Sequence, residues 1–251
     1  MGRILVVVPT YNERENVGAL IDGLLEQHPQ LDVWVADDGS PDGTADAVRE
    51  AILRHPGRVE LLLRAEKGGR GAAVLAAFRR GLADPRGYEL LFEMDADFSH
   101  HPREIPKFLA ALETRDMVVG SRYVPGGGTS DWGWVRPLLS WLANRYIALV
   151  AGSPIRDTTS GYRGYRRTVL EETEFDRILI TGYVVHGEMA YQAWIHGFRL
   201  GEVPIHFKNR ARAASKLSFE EIYMALVNFA LLRFRYGFRP RQRPPRERRS
   251  P

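Results

Sequence analysis

Cysteine is absent from the sequence. Disulfides and thiolate metal sites are thereby excluded, and any metal must be held by oxygen or imidazole. The absence fits a reducing compartment. Long apolar runs are missing too. No uncharged stretch reaches the roughly 20 residues needed to span a bilayer. The nearest, Ile222 to Leu232, has 11 residues, and as a helix it would be only about 16 Å long. Near the start, Ile4 to Val8 is too short for a signal-peptide core, and no cleavage site follows it. No internal repeat interrupts the 251 residues, a length that suits one large α/β domain with short appendages.

Acidic residues are nearly missing from the C-terminal end. Residues 233 to 251 hold eight arginines and a single acid, Glu247, so the rest of the chain is mildly acidic although the whole carries +4. Such a tail suits anionic lipid or nucleic acid, and it also suits a solvated end with no partner. The charge is confined to this Arg/Pro tail and no nucleic-acid-binding fold is recognisable, so nucleic acid is not expected as a partner. Residues 239 to 251 read as disordered.

What is present is an alternation of short apolar runs with helical patterns. Ile4 to Val8, Val33 to Ala36, Val59 to Leu63, Leu90 to Met94 and Met117 to Val119 read as buried strands. Val17, Leu20, Ile21, Leu24 and Leu25 follow helical spacing, with Asn12 and Glu15 as the expected cap. Val48 and Ile52 mark a second helix. Further helices are expected over Ala72–Leu82, Arg103–Leu112, Arg136–Val150 and Val184–His196, with a strand over Phe198–Val203. The segments Val124–Gly133 and Arg156–Arg163 read as a loop and a polar turn. This βαβα order predicts a mostly parallel, doubly wound sheet, whose ligands bind beyond the carboxyl ends of the strands.

Three polar clusters fall at those ends: Thr10–Glu13, Asp37–Asp42 and Asp95–His101. Asp95 and Asp97, two residues apart after a buried strand, can converge on one hard cation, Mg²⁺ or Mn²⁺, and bridge it to a substrate diphosphate. Such a pair is also found in turns rich in capping acids. His100 and His101 diverge as consecutive side chains and are expected to shape the following turn or touch a phosphate. The paired acids Asp37 and Asp38 suit hydrogen bonding to a base or ribose hydroxyl, within a segment whose composition already predicts a turn.

Taken in order, Pro9-Thr10-Tyr11-Asn12-Glu13, Asp37-Asp38-Gly39-Ser40-Pro41-Asp42-Gly43, Asp95-Ala96-Asp97-Phe98-Ser99-His100-His101-Pro102 and Gly120-Ser121-Arg122-Tyr123 resemble the polyprenol (dolichol) phosphate mannose synthases, inverting family 2 glycosyltransferases of GT-A fold. The resemblance continues through Asp157–Arg166, Gly182-Tyr183-Val184, Gly201–Ile205 and Ser215-Lys216-Leu217. It implies a catalytic domain over 1–217; beyond it the residues themselves predict a C-terminal helix over 218–238, opening on a Ser218/Glu221 capping box, and the basic tail over 239–251.

The resemblance also implies roles. Pro9, Tyr11, Glu13, Ala36 and Asp38 would line the nucleotide pocket. Asp95, Ala96 and Asp97 would bind the diphosphate, with Asp95 and Asp97 as metal ligands. Arg122, Arg210 and Lys216 would contact the nucleotide sugar or phosphates, in keeping with the need of a diphosphate leaving group for cations. Replacing Arg122 or Lys216 is expected to lower turnover more than stability. The reaction implied is transfer of mannose from GDP-mannose to a polyprenyl phosphate. The alternative is a polyprenyl-phosphate glucosyltransferase using a UDP-sugar. No catalytic triad or general base is evident, and none is needed, because the phosphate acceptor is already largely ionised at neutral pH.

Trp141, Thr181 and His186-Gly187 depart from the family pattern and bear on the acceptor site rather than the nucleotide motifs. The partners expected are GDP-mannose, polyprenyl phosphate and an anionic membrane surface, with or without a membrane-anchoring protein. The expected location is the cytoplasmic face of a membrane, with Ile222–Leu232 and the arginines as the attachment.

Overall fold

The computed structural model describes residues 2–64, 68–130, 135–178, 184–208, 219–238 and 240. Its first half alternates as expected: β1 (Ile4–Thr10), α1 (Arg14–Gln27), β2 (Leu31–Asp37), α2 (Thr44–Arg54), β3 (Val59–Leu63), α3 (Gly69–Ala83), β4 (Leu90–Glu93), α4 (Ile105–Leu112) and β5 (Met117–Ser121). The second half follows with β6 (Gly128–Ser130), α5 (Val135–Ala151), β7 (Arg163–Arg166), α6 (Arg167–Glu171), α7 (Val184–Ile195), β8 (Leu200–Pro204), β9 (His206–Lys208) and α8 (Phe219–Tyr236).

Seven strands form the main sheet in the order β3-β2-β1-β4-β7-β5-β8, and β6 pairs with β9 in a small second sheet. Strands β1 to β4 run parallel, as do β5 and β8, while β7 lies antiparallel between β4 and β5. Every residue of β1 and β2 is buried, as the strands of a sheet covered on both faces must be. The period of two divides β1 between two cores. Ile4, Val6 and Val8 join α1, α2 and α4 on one face; Leu5 and Val7 join α3, α6 and α7 on the other. Gly81 allows the close approach of α3, since a Cβ there would lie 2.8 Å from Leu5.

Two expectations are corrected. Asn12 and Glu15 do not cap α1. Asn12 takes a left-handed φ of 60°, and the chain enters the helix at Glu13, whose backbone N–H donates to Thr44 Oγ1 at 2.9 Å. The loop after β1 is thus bound to the start of α2, while the Glu13 carbonyl and carboxylate accept from Asn16 and Val17 of its own helix. The turn expected over Arg156–Arg163 gives way at its end to the central strand β7. Arg163 is fully buried there, and its guanidinium donates to the carbonyls of Thr158, Ser160 and His186 at 2.5 to 2.7 Å. Three oriented carbonyls replace the water that a buried cation loses. Serine 218, of the expected capping box, lies outside the described residues.

A third, smaller core joins the C-terminal helix to the body: Ile147 and Ala151 of α5, Tyr191 and Ile195 of α7, and Phe229 and Leu232 of α8. Gly187 makes room for it, because a Cβ there would fall 2.1 Å from the Phe229 ring. Arg235 pairs with the buried Glu188 at 2.9 Å, and Tyr236 donates to the same carboxylate at 2.6 Å.

Candidate active site

Strand order reverses about β1, which has β2 on one side and β4 on the other. A crevice is expected at such a switch point. Thr10 at the end of β1 donates to Asp37 Oδ1 at 2.8 Å, and the backbone and hydroxyl of Ser40 donate to the same carboxylate at 2.9 and 2.6 Å. Asp37 therefore ties two loops together. Asp38, also buried, accepts from Arg64 at 2.5 Å and from the backbone of Gly68 and Gly69 at 3.2 and 2.7 Å, at the start of α3.

Of the expected nucleotide residues, Ala36 pairs in register with Pro9 across β1 and β2, and the Asp38 backbone donates to Thr10. Pro9 and Glu13 are buried and Tyr11 is exposed at the strand ends. Ala36 also lines a cavity of about 420 Å³ between β2, β3 and α3, bounded by Leu61, Leu62, Leu63, Ala77 and the cations Arg64 and Arg80. Pro9, Tyr11, Glu13 and Asp38 are not among its walls.

After β4, the buried Ala96 separates Asp95 and Asp97, both partly exposed. Asp97 Oδ1 accepts from the backbone and hydroxyl of Ser99 at 3.1 and 2.6 Å, and Phe98 between them takes a left-handed φ of 59°. The histidines shape this turn. His100 Nδ1 accepts from the Asp95 backbone at 2.9 Å while its ring stacks on Tyr162, so its proton sits on Nε2. His101 accepts from the Arg103 backbone and caps the turn Pro102–Glu104. Among the described residues no group of three or more His, Asp or Glu side chains could hold a metal ion. Two hard carboxylates fit a divalent ion whose other ligands are diphosphate oxygens and water.

Arg122 stands just beyond β5. Its Nε and Nη2 donate to the two oxygens of Asp157 at 2.7 and 2.6 Å, and its backbone N–H donates to Asp157 at 2.9 Å. The pair is desolvated, with 8% of the arginine side chain and none of the aspartate exposed. Asp157 is itself positioned by Glu202, which accepts from its backbone at 3.0 Å, and Asn144 of α5 accepts from the Thr158 backbone at 2.8 Å. Arg122 therefore serves first to neutralise Asp157. Arg210 and Lys216 lie outside the described residues, as does Thr181.

Two groups, Arg70 and Glu93, escaped the sequence reading of the site, and His186, flagged there for the acceptor, lies with them. Arg70, in the first turn of α3, reaches Asp95 at 2.7 Å and Glu93 at 2.9 Å. Glu93, the last residue of β4, is completely buried and lies 2.7 Å from His186 Nε2. An ionised carboxylate only accepts, so that imidazole nitrogen carries the proton. Burial pushes the Glu93 carboxyl up, but His186 and Arg70 beside it hold it below the usual carboxylate range. The available signals were an acid ending an apolar strand and a lone arginine following Gly68-Gly69.

Burial lowers the pKa of both His100 and His186. The unfolded chain thus binds protons more readily than the folded one, and the stability from keeping these rings neutral is present above about pH 6.5 and is lost as pH falls below it. Thermal melts from pH 8 to pH 5 should show a falling melting temperature below that point. His186→Gln should flatten the decline. An equally steep decline in the variant would remove His186 from the explanation.

The comparisons agree with this geometry. Residues 5–174 match the family model described as glycosyl transferase family 2. The chain is 44% identical over 229 residues to a polyprenol monophosphomannose synthase of Mycolicibacterium smegmatis, covering 91% of this chain and 86% of that protein. It is 41% identical over 226 residues to an undecaprenyl-phosphate mannosyltransferase of Micrococcus luteus, covering 90% and 92%. Among solved structures, glucosyl-3-phosphoglycerate synthase of Mycobacterium tuberculosis, in complex with Mn²⁺, UDP and glucosyl-3-phosphoglycerate, superposes with a TM-score of 0.67 at 17% identity, covering 96% of this chain and 81% of that one. That likeness is one of fold, GT-A-like.

Proposed function

The chain belongs to glycosyl transferase family 2, and from that premise we propose that it transfers mannose from GDP-mannose to a polyprenyl phosphate. The observation that carries this reading is the identity, over nine tenths of the chain, with two relatives named for mannose transfer to polyprenyl carriers. The acceptor is a phosphate monoester with a second pKa of about 6. One of its oxygens bonds to the anomeric carbon from the face opposite the leaving group, while the bond from that carbon to the donor's diphosphate breaks and GDP departs. No proton has to be removed from the nucleophile.

The protein's contribution is then positioning and charge. Asp95 and Asp97 would hold Mg²⁺ or Mn²⁺, which when bound neutralises the departing diphosphate. Arg210 and Lys216 are proposed to contact the phosphates. Arg122, held by Asp157, keeps the loop after β5 in place. Pro9, Tyr11, Glu13 and Asp38 are proposed to meet the nucleotide from the strand ends, with Ala36 behind them. Formation of a lipid-extractable mannosyl phosphate from GDP-mannose tests the reading.

Peripheral attachment at the cytoplasmic face of a membrane is part of the proposal, and a lipid acceptor supports the attachment. Among the described residues no helix is long and apolar enough to cross a membrane. Within the expected attachment Ile222–Leu232, Asn228, Phe229 and Leu232 are buried while Leu231 is exposed. Exposed apolar side chains cluster at Leu231, Phe234 and Phe238 near the end of the chain, and at Leu138, Leu139, Trp141 and Leu142 on α5. They recur at spacings of three and four, as on one face of a helix. Trp141, 48% exposed, suits the boundary between headgroups and acyl chains, which gives that departure from the family pattern a physical role.

Trp141→Glu/Leu142→Glu should reduce co-sedimentation with anionic vesicles at all salt concentrations. Deleting residues 239–251 should reduce it mainly at low salt, since each basic residue near anionic lipid contributes about 1 kcal/mol. The deletion starts at 239 because Arg235 is part of the folded body. Unchanged sedimentation in both variants would point to a partner protein as the anchor.

A further inference from the structure

Arg70 has no part in the reaction as derived above, yet it touches the carboxylate most directly concerned. Its Nη2 lies 2.9 Å from Glu93 Oε1 and 2.7 Å from Asp95 Oδ1, and its Nη1 lies 3.1 Å from His186 Nε2. The guanidinium rests against the backbone of Gly161, where a Cβ would fall 2.3 Å from Nη2. Glycine at 161 thus leaves the space that the arginine head fills. The two carboxylates differ in setting. Glu93 is wholly buried, whereas the Asp95 side chain is 20% exposed. Separating Arg70 from Glu93 would leave a buried charge without its main counter-ion, at a cost of several kcal/mol. Its hold on Asp95 is made through the same buried nitrogen, but Asp95 keeps some access to solvent and can exchange one cation for another without leaving a wholly buried charge unpaired.

We propose that Arg70 is a resident cation of the metal site. It neutralises Asp95 when no divalent ion is bound, competes with the ion for that carboxylate, and offers its charge to the donor's diphosphate once ion and nucleotide are both present, all the while anchored on Glu93. This rests on the reading of Asp95 and Asp97 as metal ligands. Its consequence is thermodynamic. An ion arriving alone must displace a positive group from one of its two carboxylates and then remain beside it. An ion arriving with a diphosphate meets a site where the arginine has a new anionic partner. Metal and nucleotide therefore strengthen each other's binding, reciprocally. A purely structural Arg70, present only to neutralise Glu93, would produce no such effect on metal affinity.

The test is Mn²⁺ binding to the full chain, followed by electron paramagnetic resonance with and without saturating GDP and corrected with a GDP-only blank. In wild type, Mn²⁺ alone should bind weakly and GDP should tighten it. Arg70→Leu should tighten Mn²⁺ alone about tenfold, the scale of one opposing charge removed at a partly solvated site, and should reduce the effect of GDP by a similar factor. Should that variant fold poorly because Glu93 is left buried and charged, Arg70→Leu/Glu93→Gln removes both charges and should show a smaller tightening of the same sign, because the attraction of Glu93 is lost together with the repulsion of Arg70, the group in contact with Asp95. Unchanged or weaker Mn²⁺ affinity in the folded variants overturns the proposal. Failure of wild type to bind Mn²⁺ even with GDP overturns the metal reading of Asp95 and Asp97, and this inference with it.

Discussion

Asp97→Asn should lower mannosyl transfer by about two to three orders of magnitude, the usual loss when one preorganised charge-stabilising group is removed, while melting within a few degrees of wild type. Oδ1 of Asp97 accepts from the backbone and hydroxyl of Ser99, and an asparagine oxygen can accept both bonds. The local turn therefore survives, and only the negative charge is lost. Asp97→Ala should be equally inactive but less stable by about 1 kcal/mol, because two hydrogen bonds disappear with the carboxylate. Excess EDTA should reproduce the inactivity in wild type, and added Mn²⁺ should restore it. Full activity of either variant, or of wild type in EDTA, would remove the metal from the account.

The second large effect is on folding. Arg122→Ala should destabilise the chain by about 3–5 kcal/mol, the cost of leaving one member of a buried ion pair unpartnered. For a chain of this size that is a fall in melting temperature on the order of 10 °C. Asp157 is fully buried and takes both donors of the arginine fork. The sequence had suggested the reverse, that replacing Arg122 would affect turnover more than stability. Arg122→Leu/Asp157→Leu should regain most of the lost stability, because two apolar side chains replace the pair, without regaining wild-type turnover. A melting temperature for Arg122→Ala equal to that of wild type would show that the pair does not hold the loop.

These two residues also mark how far the sequence could be read. Asp97 was legible because its setting is local: a buried run, Leu90 to Met94, ends and two acids follow. The same local logic located β1 to β5 and the four long helices between Ala72 and His196. Arg122 was legible as a cation but not as half of a pair, since its partner lies 35 residues away. Arg163 hid the start of a central strand, because as a charged residue it reads as the end of the polar turn Arg156–Arg163 until the three carbonyls around the guanidinium are known. Gly164 is likewise explained only by packing, as a Cβ there would lie 2.7 Å from Phe92. Arg70 gave only a weak signal, a lone arginine after Gly68-Gly69, and its partners Glu93 and Asp95 lie more than twenty residues away. At the C-terminal end the apolar run Ile222–Leu232 was visible, but which of its side chains are covered depends on α5 and α7, and so does the exposed row on α5.

The group transferred and its acceptor are tested most directly by supplying both. The purified chain, incubated with Mn²⁺, a polyprenyl phosphate and either labelled GDP-mannose or labelled UDP-glucose, is extracted with organic solvent. Label from GDP-mannose should enter the lipid phase, only when polyprenyl phosphate is present, as a mild-acid-labile mannosyl phosphate. Label entering the lipid from UDP-glucose and not from GDP-mannose would contradict the assignment of donor, and label remaining in the aqueous phase with both donors would contradict the assignment of reaction.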